Sequence, residues 1–227
     1  MSYLEYRKKY ANNGIKTQLT HSTEQFVHSS FKNHPSHTLA TVDENEIDVR
    51  IAREKRANPY TTFQRDLITI MCLPNTKLDI GELITIDTRA FIIYDENESE
   101  LFPTYYGIKV NNTVTLNYGK KKELIGTEPS TGRPIYKEVP DEETMPCFAT
   151  VNSRNNIFTE FGERINAPQD RLIVLVKYNP LRKLEDGINA FYQGGRHQII
   201  GVDETNVSEG IGYVVLLLDK IQEKSNN

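Results

Sequence analysis

The sequence predicts a mainly β chain: two tandem, related small β-barrel domains, of Src-homology-like or sandwich type, behind a short N-terminal helical segment. Three observations predict it. From residue 38 onward, apolar residues recur with a period of two in short runs bounded by Gly, Pro, Asn and Asp, which is the pattern of short strands and tight turns. A plan of strand, proline turn, strand, break, strand occurs twice, over residues 67–94 and 172–202. Pro74 and Pro180, Leu78 and Leu184, Gly81 and Gly187, and Ile93 and Ile199 all stand 106 positions apart. That spacing is too long for a solenoid repeat and fits two copies of a small domain. Finally, 37% hydrophobic and 26% charged residues in a chain of 227 suffice for compact cores but not large ones.

The elements follow in order. Residues 1–35 read as helical: Tyr3, Leu4, Arg7 and Tyr10 give a weak amphipathic turn that Asn12-Asn13-Gly14 stops. Ser22 to Gln25 then offer capping residues ahead of Phe26, Val27 and Phe31, which are spaced for one helical face, and His34-Pro35 ends the segment. Neither helix is apolar enough to fold alone. Residues 36–116 are expected to form the first barrel, with strands near 39–42, 47–51, 67–73, 80–86, 89–94 and 105–110 and an acidic turn at 95–100. Residues 117–146 carry charge, Gly and Pro without an apolar period and read as a linker or an extended hairpin between the copies. The second barrel is expected over 147–221. It opens with Ala149-Thr150-Val151 repeating Ala40-Thr41-Val42, and residues 157–161 match the second strand. The run 211–218 is the most apolar and reads as a central strand, and residues 222–227 as a frayed tail.

The charge balance narrows the function classes. A net charge of −4 argues against a free-standing basic nucleic-acid binder. Cys72 and Cys147 make no disulfide framework; each sits among apolar residues and reads as a buried thiol, which fits a reducing compartment. No run approaches the ~20 apolar residues that span a bilayer, and the polar N-terminus does not read as a secretory signal. His21, His28, His34 and His37 lack cysteine partners and read as a solvated cluster at a helix end rather than a zinc site. The Gly126 to Arg133 stretch lacks the Lys-Ser/Thr ending of a phosphate loop and reads as a turn, as does Gly194-Gly195-Arg196-His197. The many carboxylates sit in turns, with no shielded pair for acid–base work and no nucleophile set. No enzyme activity, cofactor or metal is expected.

Architecture therefore carries the functional reading. Phe31-Lys32-Asn33-His34-Pro35-Ser36 precedes the first strand. Thr62-Phe63-Gln64-Arg65-Asp66-Leu67-Ile68 leads towards Pro74, Ile80-Gly81-Glu82-Leu83-Ile84 follows, and Val110-Asn111-Asn112-Thr113-Val114 ends the first copy. In these features the chain resembles the head-closure (neck, stopper-type) proteins of the head–tail connectors of tailed phages of Gram-positive hosts. The resemblance implies a structural virion protein, present in the host cytoplasm before assembly. It would form a homo-oligomeric ring, six-fold favoured and twelve-fold possible, that closes the DNA-filled head and docks the tail. A portal or adaptor ring would lie on one side and a tail terminator or tail tube on the other. Genomic DNA would pass through the channel without sequence-specific binding, because an acidic lining repels phosphates.

Two other readings stand beside it. One is a tail or baseplate component with tandem barrels. The other is an oligonucleotide-binding barrel module, favoured by a basic and aromatic loop at residues 53–60. The expected site residues are subunit or partner contacts. They are Tyr3, Tyr6, Phe26 and Phe31 of the helical segment, Arg53, Lys55, Arg56 and Tyr60 of the basic loop, and Lys120, Lys121, Lys122 and Arg133 of the linker.

Overall fold

The computed structural model describes residues 22–53 (24 and 27 aside), 67–97 (75 aside), 102–151 and 171–221. The chain divides into two compact units, Met1–Lys109 and Val110–Asn227. Each unit contains a closed antiparallel barrel of six strands, as the period-two pattern predicts.

In the first unit the strands are β1 (His37–Val42), β2 (Asn45–Arg53), β3 (Leu67–Cys72), β4 (Leu83–Ile86), β5 (Arg89–Asn97) and β6 (Thr104–Lys109). They close in the order β1-β2-β3-β6-β5-β4, with Ala40 opposite Ile86 sealing the ring. Closure removes the unpaired edges that would otherwise template aggregation. Alternation sends Ala40, Val42, Val49, Ile68, Ile70, Cys72, Ile84 and Phe91 inward to one core. The β1–β2 turn is two residues long: Asp43 and Glu44 take φ of 43° and 69°, the left-handed pair that a tight hairpin needs. The acidic stretch expected as a turn from residue 95 begins inside β5, where Asp95, Glu96 and Asn97 pair with Tyr106, Tyr105 and Thr104.

The described residues of 22–31 are helical, as expected ahead of β1. The last of them, Phe31, is fully buried rather than available to a partner. Arg50 of β2 explains this: its guanidinium lies 4.4 Å from the Phe31 ring centre and donates to the Phe31 and Ser30 carbonyls at 3.1 and 2.7 Å. Those carbonyls end the helix and also accept from Asn33 N and His34 N at 3.2 and 3.4 Å, so one cation adds a second bond to each and covers the ring.

The second unit comprises β7 (Asn112–Thr127), β8 (Pro134–Val151), β9 (Leu172–Lys177), β10 (Asn189–Tyr192), β11 (Gly195–Asp203), β12 (Val207–Ser208) and β13 (Ile211–Lys220). The sheet runs β11-β10-β7-β8-β9-β13, and β11 pairs with β13 to close it, while β12 lies beyond β13. Its core holds Val114, Leu116, Cys147, Val174, Val176, Ala190, Ile199, Val214 and Leu216. Phe148, Leu175 and Tyr213, which project from the opposite face of β8, β9 and β13, are also buried, so the most apolar strand is covered on both faces.

The 106-residue repeat is a backbone identity. Gly81 N donates to Ile93 O and Gly187 N to Ile199 O, both at 2.7 Å. Ile93 N reaches Glu82 O and Ile199 N reaches Ile188 O, both at 2.9 Å. The β4–β5 turn at Asp87 (φ 56°) recurs at Gln193 (φ 47°), so the second turn is Gln193-Gly194 and Gly195 already opens β11. The irregularity between Ile93 and Asp95 recurs between Ile199 and Gly201.

The start of the second copy differs from the sequence expectation. In cyclic order β7 stands where β1 stands and β8 where β2 stands. Val42 faces Ile84 in the first barrel, and Leu116 faces Ala190 in the second. The counterpart of Ala40 is thus Val114, and Ala149 occupies the place of Ile51. The second barrel begins in β7 rather than at residue 147, and residues 112–116, expected at the end of the first barrel, open the second. Residues 157–161, read as a second strand, lie outside the described residues.

Candidate functional site

The two barrels differ most in their first turn. In the first, Asn45 follows Val42 by three positions; in the second, the equivalent Glu143 follows Leu116 by 27. The extra residues do not form a loop. They continue the β7–β8 ladder outward, from Asn117 opposite Glu142 to Thr127 opposite Pro134, as a two-stranded arm. At ~3.4 Å per residue the arm projects roughly 30 Å beyond the barrel wall. Residues 117–146, expected as a linker or extended hairpin between the copies, therefore form a hairpin within the second barrel.

Residues 119–138 are exposed on both faces. A lone two-stranded ribbon is marginal in water, and this one carries Leu124, Ile125, Ile135 and Tyr136 at 44–59% exposure near its apex. Leu124 sits directly opposite Tyr136, so the two share one face. The apex is a compact turn in which Glu128 N donates to Arg133 O at 2.8 Å and Gly132 N to Glu128 O at 2.9 Å. This is the Gly126 to Arg133 stretch, and it makes a turn as the sequence indicates.

The root of the arm is braced. Arg182, in the segment after β9, donates from Nη1 and Nη2 to the two carboxylate oxygens of Asp141 at 2.6 and 2.9 Å. The same guanidinium lies 5.0 Å from the Tyr118 ring centre. Asn179 Nδ2 donates to Glu143 Oε1 at 2.8 Å, and Tyr118 Oη donates to Glu143 Oε2 at 3.4 Å. A planar fork against a carboxylate fixes orientation as well as distance. Its hydrogen bonds hold the Asp141 carboxyl below the usual carboxylate range. Burial first, and then the Glu143 charge, push the Tyr118 phenol up to about 12, so it stays a donor. Register shifts between Asn117 and Lys120 and between Leu124 and Gly126 bend the ribbon just above the root and just below the apex.

The arm gathers four of the sequence-predicted contact residues. Lys120, Lys121 and Lys122 lie along β7, and Arg133 at the apex. Lys120 pairs with Glu138 at 3.3 Å. Phe26 is 70% exposed on the N-terminal helix of the first unit, while Phe31 is buried there. Arg53 ends β2, and Tyr3, Tyr6, Lys55, Arg56 and Tyr60 lie outside the described residues. The structure thus places Lys120, Lys121, Lys122 and Arg133 on one ribbon of the second unit, while Phe26 belongs to the first unit. Sequence reasoning missed the apolar residues at the apex and the Arg182–Asp141 and Asn179–Glu143 brace. The available signal was Leu124-Ile125 and Ile135-Tyr136, placed symmetrically about the Pro129–Gly132 turn.

Of the expected histidine cluster, His34 and His37 have local partners, and His21 lies outside the described residues. His34 Nδ1 lies 2.7 Å from Ser36 Oγ, and His37 Nε2 lies 2.8 Å from Asp48 Oδ1. Lys32 also bonds Asp48, at 2.9 Å, and with His37 lowers that carboxyl's pKa. Both cysteines are free and buried, and burial raises each thiol to about 12. Among the described residues no cluster of His, Cys, Asp and Glu is arranged to hold a metal ion, and no helix is long and apolar enough to cross a membrane.

The chain matches no protein-family model. It is similar to the SPbeta prophage-derived uncharacterized protein YomX of Bacillus subtilis (strain 168), with 28% identity over 140 residues. The aligned stretch covers 61% of this chain and 60% of that protein's length.

Proposed function

We propose that the chain is a phage-derived structural protein that works as a ring in the neck of a tailed-phage virion, closing the DNA-filled head and docking the tail. The observation that carries this reading is the arm: a roughly 30 Å ribbon, apolar near its apex and braced at its root, on a closed barrel. Such a ribbon gains stability from a neighbour and little from its own chain. The similarity to a prophage-derived protein supports a phage setting. The resemblance to stopper-type proteins adds the ring, with six copies favoured, and the docking faces. Heterologous contacts that close on themselves make rings, and an acidic chain with net charge −4 lets DNA pass without adhering.

The Lys120–Lys122 run favours a second reading, binding of nucleic acid along the arm. The local charges weigh against it: Lys120 is already paired with Glu138, and Glu123 stands opposite Lys137. The deciding experiment mixes the purified protein with DNA-filled, tail-less capsids of the encoding phage. The neck reading expects the protein to join those capsids and to reduce DNA leakage. Binding to isolated tails alone would move it into the tail or baseplate. Salt-sensitive binding to free oligonucleotides with no capsid binding would favour the nucleic-acid module.

A further inference from the structure

The arm joins its barrel at a break in the ladder. Asn117 pairs with Glu142 and Lys120 with Pro140, so two residues of β7, Tyr118 and Gly119, face the single residue Asp141 of β8. Such a bulge interrupts the pairing and bends the strand. Gly119 takes φ 109°, which glycine adopts freely, and a Cβ there would meet nothing within 4 Å. Its amide donates to Asn117 Oδ1 at 2.8 Å, within its own strand. Pro140, the next residue outward on β8, has no N–H to give the ladder. Both strands are therefore softest at the same level.

The ribbon is tied on either side of that level. Below it, Asn117 Nδ2 donates to Glu142 Oε1 at 2.9 Å, and Tyr118 packs against the barrel core. Above it, Lys120 Nζ reaches Glu138 at 3.3 Å, Leu124 faces Tyr136, and the apex turn closes between Glu128 and Arg133. Arg182 grips the break from the side: its fork holds Asp141 and its plane lies against Tyr118, both of them bulge residues. Arg182 itself stands on a fixed post, since its amide donates to Asn179 O at 3.1 Å and Leu184, two residues on, is buried in the core. Asp141 also has a cation in electrostatic reach on the arm, Lys121, so its charge is not stranded when Arg182 lets go.

We propose that the arm is a hinged lever: it turns as one piece about Gly119, and the fork of Arg182 on Asp141 latches it in one orientation. A turn of about 20° at the foot of a ~30 Å ribbon carries the apex roughly 10 Å, so one fold can present the apex at more than one place. The device does not depend on what the apex meets, and it stands or falls apart from the neck reading.

Distances between paired spin labels on the full chain test it. Both native cysteines are buried, so the labels go to introduced ones. One pair, Ser130→Cys with Lys220→Cys, joins the apex to β13 of the barrel. The other, Lys122→Cys with Ser130→Cys, lies wholly on the arm above the bulge. All three positions are exposed. With Arg182 in place, both pairs are expected to give one narrow distance. Arg182→Ala should spread the apex-to-barrel distance by about 10 Å and leave the distance within the arm unchanged. Asp141→Asn, which keeps the shape and removes the charge, should do the same. The exchanged pair Asp141→Arg with Arg182→Asp restores the fork in reverse and should narrow the distance again. A wild type already as broad as the variants, or variants as narrow as the wild type, would overturn the latch. So would an exchanged pair that stays broad, which would reduce Arg182 to packing on Tyr118. Broadening of the within-arm distance as well would overturn the hinge in favour of fraying.

Discussion

Replacing Phe31 tests how the N-terminal helix is held to the first barrel. Phe31 is fully buried, with Arg50 against its ring at 4.4 Å and the His37 ring edge-on at 6.2 Å. Truncating a buried Phe to Ala removes its transfer free energy and leaves a cavity, typically about 3–5 kcal/mol. Here the lid of the cavity is a guanidinium also held by two carbonyls, at 3.1 and 2.7 Å, so it cannot collapse freely into the space. We therefore expect Phe31→Ala to cost the first unit about 3–4 kcal/mol, a large share of the roughly 5–15 kcal/mol typical of a domain. With a urea slope near 2 kcal/mol per molar, the midpoint falls by roughly 1.5–2 M. Hydrogen-exchange mass spectrometry across a urea series reads the two units separately. Peptides from β1 to β6 should shift and those from β7 to β13 should not. Phe26→Ala, at a residue 70% exposed, is the control and should stay within about 0.5 kcal/mol. A shift below about 1 kcal/mol for Phe31→Ala, or equal shifts for the two variants, refutes the assignment of Phe31 to the core.

Three further outcomes are expected. Cys72 and Cys147, raised to about 12 by burial in separate barrels, should resist alkylation at pH 8 until their own unit opens. An unfolded thiol ionises near 8.5, so the stability tied to each buried thiol is complete below that pH. It is lost above it by up to ~1.4 kcal/mol per pH unit, checked by urea midpoints at pH 8 and 10. Arg182→Ala should speed amide exchange in the arm root without lowering the melting midpoint of the first unit. Because Arg182 lowers the Asp141 pKa, the brace is present above the ordinary carboxylate range near 4 and is lost as pH falls through the depressed value. The wild-type root should therefore loosen towards the variant's rates only below the ordinary carboxylate range. Gly212→Ala should destabilise the second unit by more than ~2 kcal/mol, since Gly212 has φ 142° and a Cβ there would sit 2.1 Å from Asn206 O. Retention of wild-type exchange in β12 and β13 would contradict that.

The sequence disclosed the strands and the repeat where backbone geometry depends on particular residues. Pro74 and Pro180 mark equivalent turns, Leu78 and Leu184 are both buried beneath them, and Gly81 and Gly187 both take positive φ, 84° and 94°. A match of residue types at constant spacing there reflects a match of dihedrals. The start of the second copy was misread because Ala-Thr-Val satisfies almost any half-buried strand. Ala40 faces the core on β1, and Ala149 faces it on β8, which takes the role of β2. A three-residue likeness on a period-two pattern carries little information about which strand it belongs to. The arm was harder to read because its side chains obey no core: with both faces wet, no alternation distinguishes it from a linker. Lys120, Lys121, Lys122 and Arg133 were found through their charge. Leu124 and Tyr136 were not, since only the ladder shows that they face each other.

The paired first turns, Asp43-Glu44 in one barrel and the arm in the other, amount to a comparison already built into the chain. The first barrel shows that this chassis closes with two residues at that corner. The corner is therefore a port, where length can change while the six-strand wall stays constant. Loop closure opposes such growth only weakly, ~0.6 kcal/mol per doubling and so roughly 2 kcal/mol for the whole extension. The reach and chemistry of the arm can therefore be changed without rebuilding the six-strand wall. An armless second barrel, with its corner cut back to an Asp-Glu pair, should fold as its sister does.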